Sequence, residues 1–175
     1  MRILTLFARF GSEQYETALD DVDALYARQL PGSHRTTVVV DNALEVGHES
    51  RRSETCVVIG GDNQEWEFSA WDQALAYVGG DLLSFDLVNL CTSAFRTLYV
   101  AYLDRIDGDL LAALGGRSVA LGHIDYFPRP VRLFNYCSQH WLRTSFVFLP
   151  PHELLALAPL ATVRRRGSVP AFEFV

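Results

Sequence analysis

Cysteine and basic charge are both scarce in this chain, and each scarcity closes off a class of protein. The three cysteines, Cys56, Cys91 and Cys137, are odd in number and far apart, so no disulfide framework staples a small scaffold. Cys56 and Cys91 fall inside apolar, strand-like runs, the usual setting of free thiols buried in a reducing cytoplasm. Cys137-x-x-His140 has no second ligand pair at a spacing that would complete a metal site. A net charge of −6 and a pI of about 5.3 leave no basic footprint for nucleic acid. Only Arg164-Arg165-Arg166 concentrates positive charge. Such a run reads as a solvated patch or, if functional, as an attractor for an anionic lipid head group or a diphosphate.

Long apolar runs are missing as well. Nothing approaches the ~20 residues that a membrane helix needs. The opening Met1-Arg2-Ile3-Leu4-Thr5-Leu6-Phe7-Ala8 has one positive charge and too short an apolar stretch for a signal peptide. The expectation is a soluble cytoplasmic protein without a transmembrane segment, in peripheral contact with a membrane at most. Several signatures of chemistry are also absent. No G-x-G-x-x-G follows the first strand, and there is no G-x-x-x-x-G-K-[ST] loop and no G-x-S-x-G elbow. A dinucleotide oxidoreductase, a P-loop NTPase and an esterase all lack their defining turn.

What is present is core. With 49% hydrophobic and 12% aromatic residues, 175 residues suffice for one domain, 1–175, with a substantial interior. Apolar, β-branched runs at 3–10, 36–40, 56–59, 85–90, 119–126 and 145–149 read as strands. Helical spacing marks 15–30, 65–78, 94–103, 107–114 and the start of a last helix at 151–157. The polar segment 45–54 reads as a surface loop. Strands alternating with helices imply crossover connections, hence an α/β fold with a mainly parallel sheet flanked by helices.

Two strands run into the same dipeptide. Val38-Val39-Val40 ends in Asp41-Asn42, and Val57-Val58-Ile59-Gly60-Gly61 ends in Asp62-Asn63, before a helix that carries Glu67, Trp71 and Asp72. Open α/β sheets bind ligands beyond the carboxyl ends of their strands. The repetition therefore suggests one polar crevice. Each residue also has a plainer role. Asp41 and Asn42 can close an Asx-turn, and Asp62 and Asn63 can cap the following helix, whose amino end would equally suit a diphosphate. Glu67 and Trp71 share a helix face, where Trp71 reads as core, and a carboxylate beside aromatics must find a partner or shift its pKa. Asp125, near a strand end, could deprotonate an acceptor hydroxyl or serve structure alone. Asp107-Gly108-Asp109 precedes Leu110-Leu111 and reads as a helix cap rather than a cation site.

Three stretches resemble glycosyltransferases of the GT-A type, the nucleotide-diphospho-sugar transferase fold, and in particular sugar transferases of bacterial polysaccharide assembly, including the rhamnan-synthesis type. They are Val39-Val40-Asp41-Asn42, Gly61-Asp62-Asn63-Gln64-Glu65-Trp66-Glu67-Phe68-Ser69-Ala70-Trp71, and Trp141-Leu142-Arg143-Thr144-Ser145-Phe146-Val147-Phe148-Leu149. The middle one is similar to a D-N-x-x-x-E-F-S-G-W pattern. The resemblance implies a nucleotide-sugar donor and a carbohydrate or lipid-linked acceptor. On it, Asp41 and Asn42 meet the nucleoside, Asp62, Asn63 and Glu67 orient the diphosphate-sugar, and Asp125 is the base. Where the family carries an acidic metal motif, this chain reads Leu90-Cys91-Thr92-Ser93-Ala94-Phe95. Thr92 is a poor ligand for Mn²⁺ or Mg²⁺, which want carboxylate oxygens. A non-catalytic GT-A-like domain kept for binding or assembly is therefore the alternative expectation.

Overall fold

Valine- and leucine-rich runs form the centre of the sheet, because their branched side chains fit a pleated surface covered on both faces. The computed structural model describes residues 1–97, 100–133, 136–161 and 173–174. Arg164, Arg165 and Arg166 lie outside the described residues. In chain order the elements are β1 (Arg2–Arg9), α1 (Ala18–Gln29), β2 (His34–Asp41), β3 (Glu49–Ser53), β4 (Cys56–Gly60), α2 (Trp66–Val78), β5 (Leu87–Thr92), α3 (Gly108–Ala112), β6 (Leu121–Leu133), β7 (Tyr136–Leu149), α4 (Pro151–Leu157) and the short β8 (Glu173–Phe174). Two 3₁₀ helices, Gly79–Ser84 and Val100–Arg105, complete the set. No helix among the described residues is long and apolar enough to cross a membrane.

The strands lie in the order β3-β4-β2-β1-β5-β7-β6-β8. β4, β2, β1 and β5 run parallel to one another. β3, β7, β6 and β8 pair antiparallel with their neighbours. The fold is thus α/β as expected, but the sheet is mixed rather than mainly parallel. Two readings explain the difference. The segment taken for a loop contains β3, whose residues are all exposed, so no apolar alternation marks it. The strands expected at 119–126 and 145–149 belong to one long hairpin, β6–β7. Pro128 and Pro130 disguise it, since proline cannot donate to a ladder. The register shifts between Tyr126 and Val131, which accommodates both. The helix expected over 94–103 is a turn followed by the 3₁₀ helix Val100–Arg105, with Leu98 and Tyr99 outside the described residues.

Side-chain alternation divides the interior in two. Ile3, Phe7, Val39, Leu87, Cys91, Phe146 and Phe148 face α1, which contributes Leu19, Val22 and Tyr26. Leu4, Leu6, Val38, Val40, Val88 and Leu90 face α2 and α4, whose Ala70, Trp71, Ala74 and Leu154 cover them. Trp71 is core, as its spacing indicated. It is 1% exposed, its indole N–H donates to the Leu6 carbonyl at 3.0 Å, and Phe68 packs edge-on at 5.7 Å. Truncating such a ring to alanine costs about 3–5 kcal/mol. Burial pushes the Cys91 thiol and the Tyr26 hydroxyl up, so both stay neutral inside the sheet-α1 layer. The three cysteines are free: Cys91 is buried as expected, Cys56 only half-buried, and Cys137 exposed.

Candidate functional site

All four parallel strands present their carboxyl ends on one edge, delivering Arg9, Asp41, Gly60 and Thr92 side by side. β1 is central there. The chain winds outward from it through β2 and β4 on one side and β5 on the other, which makes the β1–β5 boundary the topological switch point. A cleft of about 150 Å³ opens at that boundary, lined by Arg9, Asn42, Asn63, Glu67, Thr92 and Ser93 among others. A larger recess of about 410 Å³ shares Ser93 and continues toward the start of α1, where Glu13, Tyr15 and Arg96 line it.

Two glycines allow the junctions to meet. A Cβ on Gly60 would stand 1.8 Å from the Glu45 carbonyl oxygen, and one on Gly61 would stand 2.0 Å from Asn42 Oδ1. Without side chains they let the β4 exit pass directly against the β2 exit, and the Gly61 N–H donates to the Asp41 carbonyl at 3.0 Å. Asn42 then bridges the gap, donating through Nδ2 to the Trp66 carbonyl at 3.1 Å and approaching Asn63 Oδ1 at 3.5 Å. Its own Oδ1 is buried without a hydrogen-bond partner. The loop that faces it is strained: Asn63 and Trp66 hold φ of 50° and 51°, in the left-handed region.

Of the residues expected at the site, Asn42, Asn63 and Glu67 come together in the cleft. Asp41 sits just beneath it, 3% exposed. Its Oδ2 accepts from Arg9 Nε at 2.7 Å, and its Oδ1 accepts from Gly11 N at 2.8 Å and Ala43 N at 3.0 Å. The last bond is the Asx-turn. Asp41 therefore holds the loop and Arg9, and is too enclosed to meet a nucleoside. Asp62 is exposed and turned away; its Oδ1 accepts from Gln64 N at 3.0 Å, and it lines a separate recess beside α2 with Glu65, Asp72 and Gln73. Asp125 lies on β6, two strands beyond β5, and is not among the cleft-lining residues. Arg143 Nη2 holds it at 3.0 Å and His123 Nε2 lies 3.4 Å away, which makes its contacts those of a structural ion pair. Asp107 caps α3, accepting from Leu110 N at 2.8 Å.

Two cleft residues had escaped the sequence reading. Arg9 ends β1 with its Nε fixed by Asp41, and its side chain is 21% exposed. Trp66 is 50% exposed and lines the cleft, whereas Trp71 is buried in the core. Each had a faint signal: an arginine closing an apolar strand, and a tryptophan directly after the polar run that follows Gly61.

A divalent cation finds no ligand set here. Among the described residues Glu67 is the one carboxylate lining the cleft, and its Oε1 accepts from Thr144 Oγ1 at 3.4 Å. Thr92 supplies only a hydroxyl, and among the described residues no group of three or more His, Cys, Asp or Glu side chains converges to hold a metal ion. Hard cations need several oxygen ligands, so the residues present do not fit one. No protein-family model, curated protein or solved structure matches this chain.

Proposed function

We propose that the chain binds a nucleotide-sugar across the β1–β5 switch point and transfers its glycosyl group to a carbohydrate or lipid-linked acceptor. One observation carries the reading: Asn42 from the β2 exit, and Asn63 and Glu67 from the β4 exit and the start of α2, line a single cleft at the strand ends where open α/β sheets keep their ligands. The nucleoside lies in the adjoining recess beside Tyr15, and the sugar stacks on the exposed face of Trp66. Asn42 and Asn63 orient the diphosphate-sugar junction.

The base role expected of Asp125 passes to Glu67, the carboxylate that lines the cleft. In the transfer step the acceptor oxygen bonds to the anomeric carbon while the bond from that carbon to the diphosphate oxygen breaks. Glu67 takes the hydroxyl proton and the nucleoside diphosphate leaves with the bonding electrons. The free thiols, one of them exposed, fit work in the reducing cytoplasm. Isothermal titration with UDP-, GDP- and dTDP-sugars, with and without Mn²⁺, tests the claim. Heat from at least one donor supports it; silence from all of them removes it.

A second reading keeps the pocket and drops the chemistry. The absence of a carboxylate at Thr92 and the engagement of Asp125 by Arg143 favour a domain that binds its ligand for assembly. Donor binding with neither transfer nor hydrolysis of the sugar would establish this reading.

A further inference from the structure

We infer that Arg9 is the anion-binding residue of the cleft and holds the ligand's diphosphate directly, in the place where a divalent cation would otherwise stand. The inference rests on the proposed nucleotide-sugar site. It adds the means by which that site neutralises the phosphate charge.

The geometry begins with Asp41. That carboxylate is nearly closed off from solvent, and three donors fill it. Only the Nε of Arg9 is consumed in the process, at 2.7 Å. The guanidinium is held in one orientation at the cleft wall, and among the described residues no hydrogen bond or ion pair engages either terminal nitrogen. Fixing a planar fork by one edge leaves its other donors pre-organised for a phosphate's two oxygens. Thr92 and Ser93 flank the same space with hydroxyls, which can donate to phosphate but cannot coordinate a cation strongly.

One charge opposes the arrangement. Glu67 lines the same cleft, so with Asp41 already paired to Arg9 the local sum is negative. The balance turns on distance and contact: direct charge-assisted hydrogen bonds from a fixed guanidinium outweigh a like charge partly screened by solvent. Glu67 should therefore weaken phosphate binding without abolishing it. That gives the test its second arm.

Inorganic pyrophosphate and UDP are titrated into the full chain by calorimetry in EDTA and again in Mn²⁺. Arg9→Lys keeps a cation beside Asp41, so the fold survives, yet it loses the fork. Both ligands should bind in EDTA, and Arg9→Lys should weaken both about tenfold while uridine binding stays unchanged. Glu67→Gln, which removes the opposing charge, should tighten both severalfold. Binding that appears only with Mn²⁺, or affinities that neither substitution moves, would overturn the assignment. Pyrophosphate binding through Arg9 without any nucleotide binding would leave the anion site standing and end the nucleotide-sugar reading instead.

Discussion

The two Asp-Asn junctions begin from the same dipeptide, follow the same kind of strand and both close an Asx-turn, yet their aspartates have opposite fates. Asp41 is enclosed, ion-paired to Arg9 and bonded to two backbone N–H groups. Asp62 is exposed and holds a single turn bond to Gln64 N. The sheet decides between them. β2 lies one strand from the centre, so its exit is covered by the β1 exit and by the loop after it, whereas β4 lies further out, next to the edge strand β3. The asparagines converge where the aspartates diverge. A motif read from sequence thus says that a polar turn forms, but the neighbouring strands determine which of its side chains reaches a ligand.

Substitutions can break this contrast, and urea midpoints should rank them. Asp41→Ala leaves Arg9 without its carboxylate and two N–H groups without an acceptor, and should lower stability by about 3–5 kcal/mol. Gly60→Ala drives a methyl into the Glu45 backbone, which cannot yield as a side chain would. A loss of about 1–3 kcal/mol is expected, together with movement of the two junctions apart. Asn42→Ala gives up the bond to the Trp66 carbonyl but also deletes an oxygen buried without a partner, so about 1 kcal/mol is the expected loss. Its effect on donor affinity should exceed that on stability. Asp62→Ala should stay within about 0.5 kcal/mol and leave ligand binding intact. Equal losses from Asp41→Ala and Asp62→Ala would mean that burial does not separate the junctions.

Much of the fold could be read from local pattern. The strands β1, β2, β4 and β5 announced themselves through β-branched runs, α2 through its periodicity, and the α3 cap through Asp107 before Leu110. What stayed hidden depends on partners remote in sequence. β3 carries no apolar face because it is held by backbone bonds to β4, and β6 contains prolines that a register shift tolerates. The site divided along the same line. Asn42, Asn63 and Glu67 could be named from strand exits and the helix that follows. The enclosure of Asp41, the displacement of Asp125 onto a distant hairpin and the entry of Arg9 required knowledge of which strands are neighbours.

The left-handed backbone at Asn63 and Trp66 carries a consequence for anyone engineering this protein. Glycine adopts that conformation freely, whereas a residue with a Cβ is disfavoured there by roughly 1 kcal/mol. Asn63→Gly is thus a direct route to a variant that resists heating, and the same change strips an amide from the cleft wall. At this loop, thermal robustness and ligand recognition pull against each other, and a thermostability screen run without ligand would select the variants least able to hold one.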